Sequence, residues 1–113
     1  MYWTDYGAGS IHKAGMDGSN SITLVTGVSS PRGVAVDLAY GRLYWAESGS
    51  NRIQASDLDG RGLQTAVQLP TGSHPFGIAL LNDRIYWGNL GNGKLESRSR
   101  DGQEAPALHI EAG

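Results

Sequence analysis

The chain has 113 residues, of which 39% are hydrophobic and 18% charged, with a formal net charge of −2 and no cysteine. No block of like charge is present, so neither nucleic acid nor an anionic membrane surface is an expected partner. The longest apolar stretch, Phe76 to Leu81, is far too short to span a bilayer.

Taken along the chain, Tyr2-Trp3 opens a first short strand and Ile11 marks a second. Asp17-Gly18 then signals a tight hairpin, and Ile22 to Val25 forms a third strand. Pro31-Arg32-Gly33-Val34-Ala35-Val36 is a continuous apolar run suited to a strand covered on both faces. It is followed by Leu43-Tyr44-Trp45, a strand about Ile53, an Asp59-Gly60 turn and a strand from Leu63 to Val67. Pro75-Phe76-Gly77-Ile78-Ala79-Leu80, Ile85-Tyr86-Trp87, Leu95, Asp101-Gly102 and Ala107 to Ile110 repeat the series. With 17 Gly, 4 Pro and no apolar spacing of three and four, the chain is all β.

The Tyr-Trp pair recurs at a fixed interval of 42 residues and takes up all 3 tryptophans. The two Pro-x-Gly strands lie 44 apart, and the turn that follows the later one is two residues shorter, so the period recovers. Length changes confined to turns mark a structural repeat whose units bury their apolar faces only against one another. Four antiparallel strands per unit of this length is the measure of a β-propeller blade. The expected blades are 1–30, lacking its first strand, then 31–74 and 75–113, giving an incomplete propeller of about 2.7 blades. Trp45 is expected to have a blade on each side, and Trp3 and Trp87 to be less enclosed at the ends.

Tyr2-Trp3-Thr4-Asp5 is the YWTD signature, and the chain resembles the low-density-lipoprotein receptor class B repeat over essentially its whole length. The match rests on the Pro-x-Gly-hydrophobic-Ala-hydrophobic strands containing Gly33 and Gly77, on the Tyr2-Trp3, Tyr44-Trp45 and Tyr86-Trp87 strands, and on Met16-Asp17-Gly18 and Leu58-Asp59-Gly60. The resemblance implies six-bladed propellers in extracellular receptor regions that bind protein ligands and carry no catalytic residues. The fourth motif position departs from it, running Asp5, Glu47, Asn89. If that acid fastens neighbouring blades, the Asn89 unit should hold its neighbour differently, because Asn accepts a hydrogen bond without charge. Fewer than three repeats would leave an apolar face open at each end. The arc then belongs to a longer receptor, or two copies join head to tail.

Residues 1–20 contain no charged-then-apolar leader, so a receptor reading expects upstream sequence and a membrane anchor outside this chain. The lack of cysteine fits a reducing compartment, and equally a propeller whose ring closure replaces disulfides. No Asn-x-Ser/Thr acceptor occurs, since Asn20-Ser21 is followed by Ile22.

Chemistry is sparse. No Gly-x-Ser-x-Gly elbow or cysteine nucleophile is present, and Gly7-Ala8-Gly9 and Gly91-Asn92-Gly93 follow Tyr-Trp strands as turns and open no helix. His12, His74 and His109 show no metal-ligand spacing. Asp57 and Asp59 would share a strand face, yet Asp59 belongs to its turn, which leaves a solvated carboxylate. No cofactor is expected. The rival class, a propeller hydrolase or lyase holding a divalent metal in its channel, needs inward acids or histidines on the innermost strands. Asp37 and Asn82 lie only at or past the ends of those strands.

Binding residues therefore belong on the face where the loops after the second and fourth strands emerge together. The candidates are Tyr6, Arg32, Asn51, Arg52, His74, Phe76 and Asn92, with a protein ligand as the partner. Neighbouring blades, from the rest of a parent chain or from a second copy, are the other expected partners.

Overall fold

The computed structural model describes residues 2–15, 17–81, 84–91 and 93–99, and the backbone of 107–111. Asn82, Asn92 and Asp101-Gly102 fall outside the described residues, as does the His109 side chain. The first sheet contains β1 (Tyr2–Asp5), β2 (Ser10–Lys13) and β3 (Ile22–Thr26). The second contains β4 (Pro31–Asp37), β5 (Arg42–Glu47), β6 (Arg52–Asp57) and β7 (Gln64–Gln68). The third contains β8 (Pro75–Leu81), β9 (Arg84–Asn89), β10 (Lys94–Ser99) and β11 (Ala107–Glu111). Every strand pairs antiparallel with its sequence neighbour, so each sheet is a meander. The register repeats with the sequence: Trp3 opposes His12, Trp45 opposes Gln54 and Trp87 opposes Glu96. A bulge recurs at one slot in all three sheets, between Ile11/His12, Ile53/Gln54 and Leu95/Glu96. These are consecutive blades of a partial propeller, with β4 lying against both β1 and β8 near the common axis.

The core lies in the two seams between sheets. Leu43 and Trp45 of the second sheet pack on Ile11, Val25 and Val28 from the first. Ile85 and Trp87 of the third pack on Tyr44, Ala46, Ile53 and Val67 of the second. Alternation along β5 thus sends Trp45 back to the preceding sheet and Tyr44 forward to the next. Trp45 and Trp87 each close one seam: the second sheet has a blade on each side as expected, but its indole meets only the preceding one. Trp87 is 1% exposed, as enclosed as Trp45 at 0%, because the surface it needs lies behind it. Trp3 points away from the second sheet, is half-buried, and stacks on His12 with ring centroids 5.3 Å apart.

Gly33 admits the closest approach between innermost strands. A methyl carbon built on it would stand 3.0 Å from the Phe76 carbonyl oxygen and 3.1 Å from the Ile78 nitrogen. The connections at Asp17-Gly18 and Asp59-Gly60 are longer than the tight hairpins expected from the dipeptides. They occupy 14–21 and 58–63, with Gly18 and Gly60 at φ 85° and 87°. Asp17 and Asp59 accept the backbone N–H two residues on, from Ser19 at 2.9 Å and Arg61 at 3.0 Å, which closes an Asx turn rather than a two-residue loop. Leu63, expected to begin a strand, stands just before β7 and is exposed.

Deleting a fully buried indole costs about 3–5 kcal/mol. Chemical denaturation should therefore show Trp45→Ala and Trp87→Ala to be comparably damaging, with Trp3→Ala costing clearly less.

Candidate binding face and the seam network beneath it

The loops 6–9 and 48–51 and residues 90–91 emerge beside the connections 27–30 and 69–74. Paired backbone bonds tie each later sheet to the connection before it. Ser48 and Gly49 donate to Ser30 and Ser29 carbonyls at 3.1 Å, and Leu90 and Gly91 donate to His74 and Ser73 carbonyls at 2.9 Å. The carbonyls of Ser30 and His74 are aimed by a left-handed backbone, φ 51° at both, immediately before Pro31 and Pro75.

Beneath this surface lies Glu47, a fully buried carboxylate with five donors. Its Oε2 accepts the Trp45 indole N–H at 2.8 Å and the Gln54 amide. Its Oε1 accepts Ser29 N–H at 3.1 Å, Ser50 Oγ at 3.0 Å and the Arg52 guanidinium at 3.3 Å. Burial alone would raise its pKa, but the Gln54 and Trp45 donors, the Ser29 N–H and the Arg52 charge outweigh it and hold the carboxyl below its ordinary value. Because Ser29 lies in the connection from the first sheet, Glu47 joins indole, own sheet and preceding sheet in one network. The equivalent residues do otherwise. Asp5, expected as a fastener, accepts Ala8 N–H at 3.1 Å within its own turn. Asn89 donates to Glu96 Oε1 at 2.8 Å, leaving its Oδ1 and the Trp87 indole N–H buried without partners.

Carboxylate and amide have thus exchanged strands: Glu47 with Gln54 in the second sheet, Asn89 with Glu96 in the third. The sequence reading missed Gln54 and Glu96, although the signal was available seven residues after each fourth motif position. Glu96 fixes the Asn89 amide, since the reverse orientation would set oxygen against carboxylate.

On the surface, Tyr6, Arg32 and Phe76 converge. The Arg32 guanidinium carbon stands 4.0 Å from the Tyr6 ring centroid and 5.6 Å from that of Phe76. Each comes from a different sheet: Tyr6 from the turn after β1, Arg32 from β4 and Phe76 from β8. Arg32 Nε donates to Ser48 Oγ at 3.3 Å, and the Arg32 carbonyl accepts Thr4 Oγ1. Tyr6 is 54% exposed and Phe76 46%, and together with Thr4, Arg32, Gly33 and Gly77 they border a cleft of about 330 Å³. Three of the other candidates serve the scaffold. Asn51 Oδ1 accepts His74 N–H at 2.9 Å, His74 Nδ1 meets the Ser48 carbonyl at 3.0 Å, and Arg52 pairs with Glu47. Thr4 and Ser48, which position Arg32, had no signal in the sequence because their role depends on contacts between sheets.

The fold and seams define a β-propeller segment. The family model for low-density lipoprotein receptor repeat class B matches residues 1–38 and 41–80. The chain belongs to that family. No curated protein matches it significantly. Among solved structures, a chain of a nidogen/laminin complex is similar at 20% identity and a TM-score of 0.61, over 96% of this chain and 59% of that one. A virginiamycin B lyase from Staphylococcus aureus is similar at 16% identity and 0.79, over 99% and 38%. A gluconolactonase from Xanthomonas campestris is similar at 20% identity and 0.75, over 97% and 43%. The chain therefore spans about two fifths to three fifths of the length of these structures, and at such identities they establish the fold alone.

Two outcomes follow from the seam network. A carboxyl held below its ordinary value of 4.5 adds stability above that value, and the contribution is lost as pH falls through the lower folded value. Melting temperatures recorded from neutral pH into acid should fall on the acid side. Glu47→Gln should be less stable at neutral pH, with a flatter acid limb. Conversely, installing the second sheet's arrangement in the third, as Asn89→Glu with Glu96→Gln, supplies an acceptor for the Trp87 N–H. Leaving such a group unpaired costs about 1–3 kcal/mol, so urea titration should show the double variant more stable by about 1 kcal/mol.

Proposed function

We propose that the chain is a non-enzymatic, extracellular protein-binding module, a segment of a lipoprotein-receptor-like ectodomain propeller of the kind that serves endocytic receptors or co-receptors for secreted signalling proteins. Its ligand contacts the cluster of Tyr6, Arg32 and Phe76. The observation that carries this reading is a half-exposed guanidinium set against two exposed aromatic rings, delivered by three sheets to one point. Aromatic and Arg side chains on a rigid scaffold are the residue types that dominate binding energy at protein interfaces. Membership of the repeat family supports a protein ligand, and the partnership of nidogen with laminin in a similar structure supports it further.

The rival reading is a metal-dependent lyase or hydrolase, favoured by the likeness to a lyase and a gluconolactonase. Among the described residues no three of His, Asp and Glu converge to hold a metal. Asn51, Arg52 and His74 are engaged within the scaffold and Asn92 lies outside the described residues, which supports placing the ligand on the three-residue cluster.

Laminin fragments and a panel of purified secreted proteins provide the probes. Arg32→Ala with Phe76→Ala should weaken capture at least about 100-fold, as expected of two central hot-spot residues, while the melting curve stays cooperative. Capture that survives the double change removes this face from the reading. A rise in melting temperature with added calcium would favour the enzyme instead, since a metal bound to the native state stabilises it.

A further inference from the structure

The seam between the second and third sheets has both of its walls within this chain, and it contains a polar mismatch that no side chain resolves. Trp87 and Asn89 are 1% and 3% exposed. They stand two residues apart on β9, so both side chains lie on the face turned to the second sheet. The Trp87 indole N–H and the Asn89 Oδ1 are buried there with no hydrogen-bond partner among the described residues. One is a donor and the other an acceptor. Buried polar groups in folded proteins are almost always satisfied, by protein or by ordered water, and an orphaned donor beside an orphaned acceptor demands a bridging group.

We propose that a single internal water binds at this point of the seam, accepting the Trp87 N–H and donating to Asn89 Oδ1 and to the Glu96 carboxylate. The second sheet shows what the position requires. There Glu47 Oε2 accepts both the Trp45 indole N–H and the Gln54 amide, so one oxygen ties the indole to the strand beside it. The register of the third sheet is the same, with Trp87 opposite Glu96 as Trp45 is opposite Gln54. Asn89, however, is one methylene shorter than Glu47 and turns its Nδ2 to Glu96 Oε1 at 2.8 Å. The shorter side chain leaves room comparable with the ~30 Å³ that one water occupies in the liquid. Turning the amide over would offer the indole a second donor rather than an acceptor.

The chemistry of the three groups selects the occupant. Asn89 Oδ1 and the Glu96 carboxylate both repel an anion, and the indole N–H turns its positive end towards any metal cation. Water alone accepts from the one and donates to the other two, and three bonds are the usual complement of a buried water. The second seam is thus sealed by a bound solvent molecule where the first is sealed by a carboxylate oxygen.

Isotope-labelled tryptophan gives the readout. With the 3 indole signals assigned through Trp→Phe variants, rotating-frame Overhauser spectra should show a dipolar cross-peak between water and the Trp87 indole proton. Trp45, whose N–H ends on Glu47, should show none. Asn89→Glu with Glu96→Gln should erase the Trp87 cross-peak, because a carboxylate oxygen then takes the place of the water. The stability gain expected of that variant then accompanies release of an ordered water. A crystal of the unaltered chain should independently show an ordered oxygen about 2.9 Å from Trp87 Nε1. A Trp87 proton silent towards water, a cross-peak that persists in the folded double variant, or a crystal without density at that point overturns the proposal.

Discussion

An indole reaching back across a seam is the contact on which the rest of this molecule depends. Trp45 and Trp87 occupy the same strand slot, are fully enclosed, and lie against the sheet made before their own. Their burial draws the innermost strands together, so that Gly33 must lack a side chain for β8 to pass. That approach in turn sets Arg32 beside Tyr6 and Phe76. The surface cluster is thus a by-product of the seams: its three members lie far apart in sequence and meet only when three sheets stand at fixed angles.

Most of the architecture was legible in the chain because a propeller writes its core once per repeat. The Tyr-Trp interval, the Pro-x-Gly strands and the Asp-Gly turns placed strands that the structure places within a residue or two. The direction of each indole was not legible, since alternation in a strand says which residues share a face but not which face meets which neighbour. From this came the expectation that Trp87 would be partly open. The connections at Asp17 and Asp59 were misjudged for a different reason. An Asp-Gly pair signals a turn, but its Asx bond can sit inside a longer loop as readily as in a two-residue hairpin.

The acid of the fourth motif position illustrates how a repeat can keep a function while moving its parts. In the second sheet the carboxylate stands on β5 and the amide on β6; in the third the amide stands on β9 and the carboxylate on β10. Both arrangements bridge the same two strands, but only the first also reaches the indole and the preceding connection. Asp5, one methylene shorter than Glu47, bonds its own turn. Three similar motifs therefore do three different jobs, a distinction invisible while the fourth position is considered without the seventh residue beyond it.

The backward aim of the indoles also gives the arc a direction, and it coincides with the direction of translation. A sheet leaving the ribosome carries its own wedge, and the surface that accepts this wedge belongs to the sheet already released. Growth can then proceed one sheet at a time, with each newcomer sealing the forward apolar face of its elder, so that the forward flank still open is always that of the youngest sheet.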